Sequence, residues 1–284
     1  MSNYSTGAKA TQNLRCNQAI ACFSGELLWS SILYKFPQQP VEMVREGFKE
    51  LGRRWRPGLD ILDSFGVDAA FELHLQEDVH DGITWEKLKE ATDNHLRCRQ
   101  LLDVSHTKLM GVDELAFIET YKDEFSMHHD KDAEDIPDEE GKESLFTYQS
   151  WSESRAKYRS LGYGQIRFKE YYKILSDAGV RLPSIYEWED PLMSSDQALN
   201  EGAPFLQALI DGKPLPSQNE IQPAEHAFDD FVGTKLTPVE IRRNLGLSDA
   251  PVAWDLVSQS IPMILEEPEL DLSLNNDNPS CVAV

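Results

Sequence analysis

The feature that most constrains the fold is a stripe of large apolar residues between Pro40 and Pro57. The residues of this stripe are Val41, Val44, Phe48, Leu51 and Trp55. Because they recur at intervals of three and four, they share one face of a helix. A proline precedes the stripe and Pro57-Gly58 follows it, and these residues are typical of the positions where a helix begins and ends. The pattern predicts a helix over 41–55 that buries Phe48 and Trp55.

The same helical period recurs along the chain, and strand-like alternation is scarce. It predicts helices over 84–110, from 114 onward with Asp113 as the N-cap, and over 144–177 with a break at 162–164. A further helix start lies at 237–240. The best strand candidate, 71–75, fits a short helix equally well. We therefore predict one all-α domain over 1–265 with about ten helices.

Acidic residues dominate the chain, whose formal net charge is −22 over 284 residues. This charge opposes any large nucleic-acid surface, since phosphate binding depends on Lys and Arg. We expect a protein partner or self-association instead. Residues 128–143 hold eight acids against two lysines, and we predict an acidic internal loop that is solvated and protease-sensitive. Residues 266–284 are predicted to be a flexible acidic tail.

The cysteines and the N-terminus favour a cytoplasmic location. The four cysteines, at 16, 22, 98 and 281, form no CxxC pair and are expected to be free thiols in a reducing compartment. No signal peptide is visible. The apolar stretch 19–36 is interrupted by Gly25-Glu26 and by Ser30-Ser31. It is predicted to be a core helix, so we expect no transmembrane segment.

Adjacent histidines beside an aspartate form the candidate metal site, His128-His129-Asp130. Imidazole and carboxylate can hold a divalent ion that activates water. With His95 or His106 upstream and an aspartate downstream, Asp177 or Asp196, the set resembles the metal site of HD-type phosphohydrolases. The resemblance covers three residues and assigns no family. No other cofactor is predicted, and a divalent metal is the one candidate.

A second metal pattern pairs Glu77-x-x-His80 with Asp103-x-x-His106. This spacing is typical of bundles that hold two bridged metal ions. The predicted helix over 84–106 would be ~33 Å long at 1.5 Å per residue and would hold the two pairs apart. The geometry of the predicted helices therefore argues against this site.

A basic and aromatic segment over 155–173 is the candidate anion-binding site. Its bases are Arg155, Lys157, Arg159, Arg167, Lys169 and Lys173, with tyrosines and Phe168 between them. Of these, the predicted anion-binding residues are Arg155, Arg159, Arg167, Lys169 and Lys173. Such residues can contact phosphates and stack on bases. The alternative is that they pair internally with acids, including those of 128–143.

The last four residues, Cys281-Val282-Ala283-Val284, have the form of a prenylation box. Cys281 is the candidate lipidation site. No basic cluster lies nearby, so a lipid there would give only weak membrane association. The terminal Val-Ala-Val could instead add as a strand to a PDZ-type groove.

No nucleotide-binding loop, nucleophile elbow or kinase motif is present. The leading hypothesis is therefore a non-catalytic cytosolic protein that acts through protein–protein contacts, as an adaptor, regulator or assembly subunit. One alternative is a metal-dependent hydrolase or oxygenase that uses His128, His129 and Asp130. Another is a nucleic-acid- or phosphate-binding subunit that uses residues 155–173.

Overall fold

The computed structural model describes residues 2–14, 19–33, 38–137, 139–145 and 149–221. Contacts between Cα atoms divide the chain into two compact units, Met1–Val232 and Gly233–Val284. All described residues lie in the first unit. The predicted helix start at 237, the acidic tail and Cys281 lie outside the described residues.

Seven strands form two sheets in the described part of the chain. Five are parallel and pair in the order β1-β2-β3-β4-β7. They are β1 (Ala19–Cys22), β2 (Asp68–Glu72), β3 (Cys98–Asp103), β4 (Phe125–Asp130) and β7 (Ser184–Tyr186). The other two pair antiparallel and are β5 (Asp132–Asp135) and β6 (Ala156–Arg159).

Helices connect the parallel strands. Those described are α1 (Ser2–Leu14), α2 (Trp29–Ile32), α3 (Val41–Phe65), α4 (Gly82–Ala91), α5 (Val104–Leu109), α6 (Glu114–Tyr121), α7 (Phe168–Asp177) and α8 (Ser195–Ile210). Each crossover returns the chain to the same end of the sheet. All five strands therefore point their carboxyl ends to one edge.

The all-α prediction is wrong, and the region 84–110 shows why. The helix ends at Ala91, and Asp93 and Asn94 adopt left-handed φ angles of 54° and 51°. The chain then enters β3, which is covered on both faces. Because both faces of such a strand are buried, its sequence lacks the alternation of polar and apolar residues that would predict a strand.

The acidic loop predicted at 128–143 is also wrong over its first half. Residues 128–130 end β4, and 132–135 form β5. The acids here are buried with partners rather than solvated. Asp132 accepts backbone N–H bonds from Gly162 and Gly164, and Glu134 pairs with Arg159. Charge density alone does not decide exposure when each carboxylate has a donor.

The helix predicted at 41–55 is confirmed within α3, with Phe48 and Leu51 buried and Trp55 partly buried. The helix passes through Pro57 and ends at Gly66, whose φ of 69° closes it in a left-handed cap. A Cβ on Gly52 would lie 2.2 Å from the Ala91 carbonyl oxygen. Glycine therefore allows α3 to pack closely on the end of α4.

The main core lies between the parallel sheet and its helices. It includes Leu59, Leu62, Phe71, Trp85, Leu88, Leu102 and Ile118. The other face of the sheet carries a small separate cluster of Ala70, Leu101 and Met127. None of the helices described in the structure has the length and apolarity needed to cross a membrane.

Candidate metal centre

Four potential ligands meet at the carboxyl edge of the parallel sheet. Glu72 ends β2, Asp103 ends β3, His129 is the second-last residue of β4, and Glu187 directly follows β7. One ligand atom from each lies within 4.8 Å of the others. Nδ1 of His129 lies 3.6 Å from Oε1 of Glu72 and 3.2 Å from Oε2 of Glu187.

The donor atoms of this cluster fit a divalent cation. Asp103 Oδ2, His129 Nδ1 and Glu187 Oε2 are buried and have no hydrogen bond of good geometry. The other oxygen of Asp103 is occupied, since it accepts from the backbone N–H and hydroxyl of Ser105 at 2.8 and 2.6 Å. Buried polar atoms are seldom left without hydrogen bonds, and one imidazole with three carboxylates suits a divalent metal ion.

Lys131 supplies positive charge within the same cluster. Its Nζ is buried and lies 3.2 Å from Asp103, 2.7 Å from Glu187 and 2.6 Å from Glu189. Burial alone would lower the pKa of Lys131, but these carboxylates outweigh it and raise the pKa well above its usual value. The ammonium therefore stays charged and offsets part of the negative charge.

The protonation states of the ligands depend on one another. Burial opposes ionisation of Glu72 and Glu187, yet the neighbouring histidines and Lys131 hold both pKa values low, that of Glu187 at about 2. Burial would lower the pKa of His129, but the carboxylates of Glu187 and Glu72 beside its ring raise it to about 10. His129 is thus protonated at neutral pH without a metal, and a bound ion would displace that proton.

A second buried histidine borders the cluster. His106, in α5, lies with Nε2 3.2 Å from Oε1 of Glu72. Its Nδ1 is 2.7 Å from the hydroxyl of Tyr158, which belongs to β6. The ring of His74 packs against that of His106 at a tilt, with centroids 4.0 Å apart and planes at 50°. His106 is therefore held on three sides.

The predicted trio of metal ligands is divided between the two faces of β4. In the described residues only His129 joins the cluster, because side chains alternate across a strand. His128 bonds Ser184 and the hydroxyl of Tyr171, and Asp130 accepts from Tyr172. Burial and the charge of His129 lower the pKa of His128 to about 4, and burial raises that of Asp130 to about 7. Ligation by His128 and Asp130 stays a prediction.

The other residues weighed as metal ligands lie in different places. Asp103 is in the cluster and His106 borders it. His95 instead lies 3.3 Å from Asp60, and Asp177 pairs with Lys173 at 2.6 Å. His80 packs against Trp29. The spacing of Asp103 and His106 was thus a useful signal, although they lie at a strand end and on the short helix that follows.

The predicted anion-binding residues are largely engaged with carboxylates. Arg155 contacts Asp135 at 2.6 Å, Arg159 contacts Glu134 and Asp190, Arg167 contacts Asp113 and Glu114, and Lys173 contacts Asp177. Two of these acids belong to the predicted acidic loop, as the internal-pairing alternative expected. Lys169 is exposed on α7. Anion binding by this segment stays a prediction.

Sequence reasoning missed Glu72 and Glu187 as ligands. A local signal was present, since each carboxylate directly follows a short apolar run, Ala-Ala-Phe before Glu72 and Ile-Tyr before Glu187. An acid at the carboxyl end of a buried parallel strand is a typical position for a catalytic or metal-binding residue. Recognising it requires that the strands themselves be predicted first.

Comparison with known proteins gives the fold a family. The model for xylose isomerase-like TIM barrels matches residues 5–209. A solved xylose isomerase domain protein from Planctomyces limnophilus has a TM-score of 0.52 and 19% identity, covering 74% of this chain and 64% of that one. No curated protein matches.

The solved structures of an epimerase-like protein and of an epimerase show the same fold. A D-tagatose 3-epimerase-like protein has a TM-score of 0.50 and 15% identity, over 73% of this chain and 67% of that one. The 3-keto-D-glucoside 4-epimerase of E. coli has a TM-score of 0.50 and 12% identity, over 73% of this chain and 70% of that one. The match thus spans about two thirds of these structures, and the five parallel strands form a half-barrel.

The family match corrects the leading functional hypothesis. A non-catalytic adaptor, regulator or assembly subunit was expected because no catalytic motif stood out. Matching an enzyme-type barrel over 5–209 makes that prediction wrong. The metal-dependent alternative agrees better with the findings.

Proposed function

This chain belongs to the xylose isomerase-like TIM barrel family, and from that premise we propose that it is a metal-dependent isomerase or epimerase of a sugar. The observation that carries the proposal is the four-ligand cluster of Glu72, Asp103, His129 and Glu187 at the carboxyl edge of the sheet. That edge is where barrels of this kind bind substrate. The names of the epimerase structures support a sugar as the substrate class.

A divalent ion bound here would polarise the carbonyl and hydroxyl oxygens of the substrate. The chain itself supplies the groups that move the proton. Glu72 and Glu187 are ionised at neutral pH because their pKa values are held low. Either carboxylate can accept the proton from the carbon beside the carbonyl and return it to that carbon or to its neighbour.

Lys131 stabilises the negative charge that develops on the substrate oxygen during proton removal. Its ammonium is buried between Asp103 and Glu187 and stays protonated. A fixed charge in a site that excludes water is more effective than the same charge in solvent. The third partner of Lys131, Glu189, is partly exposed and lies on the solvent side.

The experiment is proton exchange in heavy water. The protein loaded with Mn²⁺ or Co²⁺ is incubated with a panel of pentoses and hexoses, and proton NMR follows the loss of each C–H signal. We expect exchange at the carbon beside the carbonyl of one sugar, abolished by a chelator. Glu72→Gln and Glu187→Gln should each lower the exchange rate at least ~100-fold.

The matched control is Glu119→Gln, because Glu119 is exposed on α6 and pairs with Lys122, away from the cluster. It should leave the exchange rate unchanged. Exchange that persists in the chelator or in both cluster variants would contradict the metal-dependent mechanism. Metal binding without exchange on any sugar would contradict the substrate class.

The cytoplasmic location expected from the sequence stays part of this proposal. In the described residues Cys22 and Cys98 are free thiols, which is the state expected in a reducing compartment. Self-association or a protein partner also stays a prediction, testable by sedimentation of the purified chain.

A further inference from the structure

Glu187 is the member of the four-ligand cluster that the parallel sheet holds least firmly. The other three ligands lie in β2, β3 and β4, which are paired on both sides. Glu187 instead follows β7, a strand of three residues that pairs with β4 at the end of the strand order. Its backbone N–H donates to the carbonyl of Asp130 at 3.3 Å, which is a long hydrogen bond. The ends of short edge strands open easily, so the position of Glu187 depends on the residues that follow it.

Asp190, three residues after Glu187, is held at both oxygens of its carboxylate. Its side chain is buried, with 0% of the residue exposed. Oδ2 accepts from the backbone N–H of Ser160 at 2.8 Å and from Nε of Arg159 at 3.2 Å. Oδ1 accepts from the backbone N–H of Leu192 at 2.9 Å. Each oxygen of the buried carboxylate therefore has a donor, and the chain is fixed at this point.

Arg159 joins Asp190 to the antiparallel pair of strands. It is the last residue of β6, and its Nη1 donates to Oε2 of Glu134, in β5, at 2.7 Å. Arg159 is 5% exposed and Glu134 is 6% exposed, so solvent screens these ion pairs little. Because β5 follows β4 after a single residue, the guanidinium connects the chain that carries His129 to the segment that carries Glu187.

Lys131 also contacts the segment 187–190 but constrains it less. Its Nζ lies 2.7 Å from Glu187 and 2.6 Å from Glu189. An ammonium is a point charge on a flexible stem, and it can follow its partners when they move. The guanidinium of Arg159 is planar and donates in fixed directions. Arg159 is therefore the better group to hold the segment in one place.

We propose that Arg159 is a positioning residue for the metal ligand Glu187. Its guanidinium holds Asp190 against β5 and β6, and this anchor places the carboxylate of Glu187 beside His129. Groups that orient a metal ligand from behind change metal affinity by ~10- to 100-fold when they are removed. The effect on a bound ion rests on the function proposed above, whereas the anchoring of the segment does not.

A matched control separates this role from a general contribution to stability. Arg155 lies next to β6 and contacts Asp135 of β5 at 2.6 Å. Arg155→Gln therefore removes an ion pair from the same region without removing a partner of Asp190. Asp190→Asn is the second test variant, because it keeps the shape of the side chain and removes the charge that Arg159 binds.

The first test measures amide hydrogen exchange by NMR in the metal-free protein. Arg159→Gln and Asp190→Asn should each speed the exchange of the Glu187 and Leu192 amides at least ~10-fold relative to the amides of α3, which serve as an internal reference. Arg155→Gln should leave this ratio unchanged. Unchanged exchange of both amides in Arg159→Gln, or equal acceleration throughout the chain, would overturn the anchoring role.

The second test follows Co²⁺ by calorimetry and by the visible absorption of the bound ion, which reports its ligands. Arg159→Gln should weaken binding ~10- to 100-fold and shift the spectrum toward that of Glu187→Gln. Arg155→Gln should match the wild type in both measurements. A wild-type spectrum and affinity in Arg159→Gln would overturn the positioning role. A wild type that binds no Co²⁺, with faster exchange of the Glu187 amide in Arg159→Gln, would instead defeat the proposed function.

Discussion

Nδ1 of His129 lies 3.2 Å from Oε2 of Glu187, at the ends of the adjacent strands β4 and β7. The contact is charged on both sides, since the pKa of His129 is raised to about 10 and that of Glu187 is lowered to about 2. It keeps a proton at the place where a metal ion would bind. Proton release and metal binding are therefore coupled at this site.

That coupling predicts a loss of stability of the metal-free protein at alkaline pH. Unfolded His129 has an ordinary pKa of about 6.5. Because the pKa of His129 is higher in the folded protein, His129 contributes fully to the free energy of unfolding below about pH 6.5. This contribution, at most about 5 kcal/mol, is lost as the pH rises through about 10. Urea unfolding in a chelator measures this loss. His129→Asn should remove it, and an unchanged pH profile in that variant would refute the assignment.

Asp130 predicts a pH dependence at lower pH. Burial raises its pKa to about 7 in the folded protein, against about 3.9 when unfolded. The contribution of Asp130 to the free energy of unfolding is therefore present below about pH 4 and is lost as the pH rises toward 7. The stability of the wild type relative to Asp130→Asn should fall over this range by at most about 4 kcal/mol. Urea unfolding at several pH values measures this fall, with the exposed Asp123→Asn as the control variant.

Helix α3 offers a paired test of the core. Phe48 is 4% exposed and Val41, on the same helix, is 53% exposed. Phe48→Ala should lower the free energy of unfolding by about 3–5 kcal/mol, because it removes a buried ring and leaves a cavity. Val41→Ala should change it by less than about 0.5 kcal/mol. Similar losses in the two variants would show that the helix is oriented differently.

Asp132 should anchor the segment 162–166. Its carboxylate accepts backbone N–H bonds from Gly162, Gly164 and Ile166 at 2.9 to 3.1 Å. Asp132→Ala should leave these amides without their acceptor, and their hydrogen exchange should become faster. Asp113→Ala, at an exposed helix cap, should instead speed the exchange of the Leu115 and Ala116 amides, which donate to Asp113. Unchanged protection of Gly164 in Asp132→Ala would contradict this role.

The sequence predicted α3 well because a helix on the surface of a core has one apolar face. Phe48 and Leu51 carry a local signal that survives without knowledge of the fold. The residues of β3 carry no such signal, because neighbours cover both faces of the strand. Leu101 and Leu102 are both buried, on opposite faces.

The site was harder to predict because its members meet only through strand pairing. His129 was identified, since adjacent histidines are conspicuous in any sequence. Glu187 lies between Pro183 and Pro191, where the sequence shows no regular period, and its place beside His129 follows from the register of β4 and β7. Parallel pairing is a non-local property that motif spacing does not contain.

The central claim is that Glu72, Asp103, His129 and Glu187 together hold one divalent ion. Calorimetric titration of the metal-free protein with Mn²⁺ or Co²⁺ tests it most directly. We predict one ion per chain and an affinity that rises with pH as His129 loses its proton. Asp103→Asn and Glu187→Gln should each lower the affinity at least ~10-fold, whereas Asp113→Asn should leave it unchanged. The claim would be contradicted if the wild type bound no ion, or if the two cluster variants bound the ion as tightly as the wild type does.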